Sequence, residues 1–78
     1  MASAVGKQNL AKVQVGDRYL LSYEVGKPGE LTARVKVVKA PGQFAVLVRV
    51  LQIETKGPDN HLRVGSEQLA SGDELFRL

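Results

Sequence analysis

The basic residues offer the clearest chemistry in this 78-residue chain. Arg34, Lys36, Lys39 and Arg49 fall in two segments where apolar and polar residues alternate, so that side chains two apart share a face. Together they predict a cationic stripe on one sheet face, a surface suited to phosphate oxygens. Pro41-Gly42 between the segments sets the expected pairing. Inward residues must meet inward residues, so facing numbers sum to an odd value, about 83 for a tight turn. That register pairs Val37 with Val46, Val35 with Val48 and Ala33 with Val50 inside. Outside, it sets Lys36 opposite Leu47 and Arg34 opposite Arg49. Two facing arginines repel unless an anion or a carboxylate sits between them. The competing interpretation is a solvated face with Glu24 of the preceding strand neutralising the pair, since surface charges are ordinarily solvated.

Lys27 lies in the loop Gly26-Lys27-Pro28-Gly29, whose glycines would let a ligand approach the backbone. It joins the candidate phosphate contacts, although turn chemistry alone accounts for the loop and no helix follows to supply a dipole. Tyr19 and Tyr23 share a strand face about 13 Å apart. An aromatic cage or stacking platform needs several rings at one spot, and only Phe44 and Phe76 are available to join them. Core packing is the simpler role.

Catalysis and metal binding have little to build on. There is no cysteine and a single histidine, His61, so a transition-metal site would depend on Asp59 and other carboxylates. A Ser-His-Asp set with Ser22 or Ser66 is conceivable, yet no nucleophile elbow surrounds either serine. Asp73 and Glu74 are adjacent, and in an extended segment they point to opposite faces. The sequence therefore predicts neither an enzyme nor a cofactor.

The elements that must position these residues follow from the pattern. Tyr19, Leu21, Tyr23 and Val25 alternate with Arg18, Leu20, Ser22 and Glu24, which predicts a strand over 18–25. Leu31, Ala33, Val35 and Val37 predict a second over 30–39, and Phe44, Val46, Val48 and Val50 the inward face of a third over 43–54. After Val50 the apolar phase shifts to Leu51 and Ile53, the mark of a bulge. A short strand over 61–64, a helical turn over 67–70 capped by Ser66, and a last strand over 75–78 complete the expected set. Residues 1–12 show no firm period and predict a mobile arm, with a turn of helix over Gln8-Asn9-Leu10-Ala11-Lys12 as the alternative, and the domain spans 13–78.

Outward Leu20, Val38, Leu47 and Leu51 argue against a fully wet outer face. They supply a second functional hypothesis, a protein-interaction or self-assembly surface, with Arg49 interrupting the apolar run as a gatekeeper. A small barrel would cover both faces by closing the sheet on itself. The pattern resembles an SH3-like small barrel of the KOW and Tudor kind. The resemblance rests on Val15-Gly16-Asp17-Arg18, on Gly26-Lys27-Pro28-Gly29-Glu30-Leu31, and on the Ser66-Glu67-Gln68-Leu69 turn before a last strand. It covers about a third of the chain and departs from the KOW motif in the longer stretch between Asp17 and the glycine loop. Type II dihydrofolate reductases, another small-barrel group, carry a Val-Gln-Ile-Tyr segment. Leu51-Gln52-Ile53-Glu54 lacks its tyrosine and falls on a different strand.

The formal charge is +3, and its distribution is uneven. Eight Lys/Arg stand against three Asp/Glu up to residue 53, and three against five from residue 54. That asymmetry suits an anionic partner on one face or head-to-tail self-association. No apolar run is long enough to cross a bilayer as a helix or to serve as a signal peptide, so the expected location is the cytoplasm. The expectation is thus an all-β binding module for RNA or DNA, or else for itself or another protein.

Overall fold

The computed structural model describes residues 3–78. Five strands, β1 Arg18–Tyr23, β2 Leu31–Lys39, β3 Val46–Lys56, β4 Glu67–Ala70 and β5 Leu75–Phe76, form one antiparallel sheet in the order β4-β3-β2-β1-β5. The only helix among the described residues is a 3₁₀ segment, Lys7–Lys12. None is long and apolar enough to cross a membrane.

The alternation in the sequence governs the long strands. Leu31, Ala33, Val35 and Val37 of β2, Val46, Val48 and Val50 of β3, and Leu21 of β1 are buried on the inner face. Each fully buried Val or Leu contributes about 1.5–3 kcal/mol. β1 ends two residues before the expected Val25, because Glu24 takes a positive φ of 50° and turns the chain out of the sheet. Val25 is exposed in consequence.

The β2–β3 register departs from expectation by two residues. Val37 faces Val48 and Val35 faces Val50, so facing numbers sum to 85. Parity is kept and the inward set is right, but the connection is wider than a tight Pro41-Gly42 turn. It runs from Ala40 to Ala45, and Phe44, expected inward, is 68% exposed within it. The expected bulge is present. Arg34 faces Gln52 while Val35 faces Val50, which leaves Leu51 as the extra residue. Ile53 thereby swings inward to pack on the core.

The C-terminal third differs more. Residues 61–64 form a loop, not a strand, and Val64 is exposed. Residues 67–70 form β4, not a helical turn, paired with Val46–Arg49. Ser66 accordingly caps no helix. Its carbonyl accepts from the Val50 amide at 2.8 Å and joins β4 to the ladder.

β4 and β5 lie at opposite edges of the sheet yet are joined by Ser71–Glu74, closed into a turn by Glu74 N–H donating to Ser71 O at 3.2 Å. Such a turn spans under about 7 Å, whereas a flat five-stranded sheet would part its edges by about 19 Å. The sheet must therefore curl. The Tyr23 hydroxyl of β1 donates to Gln68 Oε1 of β4 at 3.3 Å, across two intervening strands. Asn60 secures the same end, donating from Nδ2 to the Tyr23 hydroxyl and to Gly29 O, each at 3.1 Å. β4 and β5 share no ladder, so the sheet is curled but not closed.

Residues 3–12, expected as a mobile arm, pack against the open side. Val5 and Leu10 are buried with the sheet residues in one core. Val5 N–H donates to Leu75 O at 2.7 Å and Gly6 N–H to Gly72 O at 2.9 Å. The division expected at residue 12 is thus not a division in the packing.

Candidate nucleic-acid interface

Ladder partners share a face, so the registers lay out the outer surface row by row. Arg18 of β1 faces Lys36 of β2, Lys36 faces Arg49 of β3, and Arg49 faces Glu67 of β4. Three cations therefore stand side by side on three neighbouring strands, with strand spacings of about 4.8 Å. The next row runs Phe76, Leu20, Arg34, Gln52. On the other side, Lys39, Leu47 and Leu69 form a third row. Lys39 reaches the outer face because the register shifts between Val37 and Lys39.

The carboxylates that neutralise this face are not the expected one. Arg34 Nε meets Glu54 Oε1 at 2.8 Å, and Arg49 Nη2 meets Glu67 Oε2 at 2.6 Å, with Nε of Arg49 also donating at 3.1 Å. Glu24 lies beyond the end of β1 and takes no part in these pairs. Among the described residues, Arg18 and Lys36 have no carboxylate within ion-pair distance. Both ion pairs are half-exposed, so each is worth at most about 1 kcal/mol and exchanges readily for another anion.

Of the candidate contacts, Arg34, Lys36, Lys39 and Arg49 come together on one face. The facing cations are Lys36 and Arg49, not Arg34 and Arg49. Lys27 does not join them. It sits in the loop after Tyr23, while Lys36 lies five residues up β2 from the loop end at Leu31, about 17 Å away along the strand. Arg18 belongs to the row and was not among the candidates. Its signal was present, since centring the first hairpin on Lys27 puts 18 opposite 36.

The outward leucines are split by the cations. Val38 and Leu47 lie on the loop side of the Arg18–Lys36–Arg49 row, while Leu20 and Leu51 lie on the other. All four are half-buried. The tyrosines point inward. Tyr19 and Tyr23 pack against the core, and burial, followed by the charge and hydrogen bond of Asp17, raises the Tyr19 phenol above its ordinary value of 10.0.

The remaining polar residues have local roles. Ser22 Oγ lies 3.1 Å from Thr32 Oγ1, Ser66 Oγ accepts from the Arg63 amide at 3.3 Å, and His61 is exposed in the β3–β4 loop. Glu74 accepts from the Ser71 amide and hydroxyl within its turn. Among the described residues no three His, Asp or Glu side chains come together as metal ligands.

No protein-family model, curated protein or solved structure matches the chain.

Proposed function

We propose that this chain is a non-catalytic binding module, an SH3-like small barrel in architecture, that engages nucleic-acid phosphates through the outer face of β1–β3. One observation carries the proposal: Arg18, Lys36 and Arg49 stand in register on adjacent strands, two of them without a carboxylate partner among the described residues. Like charges placed directly opposite each other destabilise a sheet. A polyanion laid across the row converts that repulsion into attraction and releases its own counterions. Arg34 and Lys39 extend the cationic surface by one row on either side. Because the net charge is only +3, binding is weak, salt-sensitive and tolerant of sequence.

The division of the outward leucines by this row favours the phosphate-binding reading over self-assembly on a continuous apolar surface. The test is fluorescence anisotropy of a labelled oligonucleotide across a salt series. Replacing Arg18 and Lys36 with alanine should weaken binding and reduce the salt slope by about one to two units. Unchanged affinity in that double variant rejects the face. A dimeric mass in light scattering that Leu47→Glu makes monomeric, with no response to oligonucleotide, would support the leucine surface instead.

A further inference from the structure

The outer face carries a cleft of about 190 Å³ beside the cationic row, lined by Arg18, Arg34, Leu51, Gln52 and Leu78 together with Val35. The bulge creates it. In an unbroken strand Gln52 would follow Val46, Val48 and Val50 to the inner face; the extra residue Leu51 instead sets Gln52 opposite Arg34. Resting on the phosphate-binding proposal above, we infer that this cleft receives one unstacked base, so that the partner is single-stranded nucleic acid.

The lining suits a base more closely than a bare anion. Leu51 and Leu78 present apolar walls, and the Gln52 amide brings both a donor and an acceptor to a base edge. Arg34 meets Glu54 through its Nε at 2.8 Å, and its exposed guanidinium offers a planar face of the kind bases stack on. The volume is several times the roughly 30 Å³ share of a water molecule and below the roughly 300 Å³ that encloses a drug-sized ligand. It accommodates a single ring system. Lys36 and Arg49 stand one row away, two residues along β2 from Arg34, or about 7 Å. A nucleotide bridges that separation from base to phosphate. In a duplex the bases are stacked and paired, and drawing one out costs a few kcal/mol. The cleft therefore selects against duplex.

Anisotropy with three labelled probes tests this: a twelve-residue oligothymidine, an abasic deoxyribose-phosphate strand of the same length, and a twelve-base-pair duplex. Oligothymidine should bind about tenfold or more tightly than the abasic strand and more tightly than the duplex. Gln52 is exposed, so Gln52→Ala leaves the core untouched. It should weaken oligothymidine binding and leave the abasic strand unaffected. Equal binding of thymidine and abasic strands, or preference for the duplex, overturns the base cleft and leaves the phosphate face standing. Failure of every probe to bind overturns both.

Discussion

Lys36 of β2 and Arg49 of β3 are direct cross-strand partners on the outer face of the sheet, and Arg18 of β1 flanks Lys36 on its other side. Among the described residues, only Arg49 of the three has a carboxylate partner, Glu67. A row that serves binding at the expense of stability should reveal both effects in one substitution. Lys36→Glu replaces two repulsive pairs with two attractive ones, each worth about 0.2–1 kcal/mol. The variant should unfold at a higher urea concentration than the wild type and lose oligonucleotide binding. A lower midpoint would show that the three cations do not repel one another in the folded chain.

The packing of residues 3–12 makes a separate prediction at Gly72. A Cβ added there would run into the Gly6 carbonyl and lie 3.0 Å from the Lys7 nitrogen. These are backbone atoms, tied by the Gly6 amide bond to Gly72 O, and cannot swing aside as a flexible side chain would. Gly72→Ala should destabilise the domain by about 1–3 kcal/mol, measured by urea denaturation. It should also speed hydrogen exchange at the Gly6 amide. An unchanged midpoint would mean that the segment does not hold against the Ser71–Glu74 turn.

How far the fold was legible depended on the range of the interaction concerned. Leu31, Ala33, Val35 and Val37 alternate against polar neighbours, and one face of β2 is buried accordingly. The phase change after Val50 announced the Leu51 bulge, because any extra residue must move the later apolar side chains by one. The β2–β3 connection is wider than the sequence predicts because Pro41-Gly42 has the chemistry of a turn tip, whereas the chain passes through it into a longer loop that strands Phe44 outside. Glu67-Gln68-Leu69-Ala70 has helical propensity, and pairing with Val46–Arg49 overrides it. Val5, Leu10 and Val13 are spaced at no regular period, so nothing local marked them as core. The stripe was visible as residue types. Its partners Glu54 and Glu67 were not, since Glu54 stands at a second register shift, between Thr32 and Ala33, and Glu67 on β4.

Tyr19 gives the fold a dependence on alkaline pH. Its ring packs against the core while its hydroxyl donates to Asp17 Oδ2 at 3.4 Å. Burial opposes the phenolate first, and the Asp17 charge and hydrogen bond add to it, with Arg77 pulling the other way. The folded chain therefore holds this proton more tightly than the unfolded chain. Below the ordinary phenol value of 10.0 both states are protonated and the contribution is fully present. As pH rises above it the unfolded state releases the proton first, so stability falls until the folded phenol also ionises. Tyr19→Phe retains the ring and removes the titration. Urea midpoints measured from pH 8 to about pH 11 should fall less steeply for Tyr19→Phe than for the wild type. Parallel curves would show that the Tyr19 phenol is not held by Asp17 and the core.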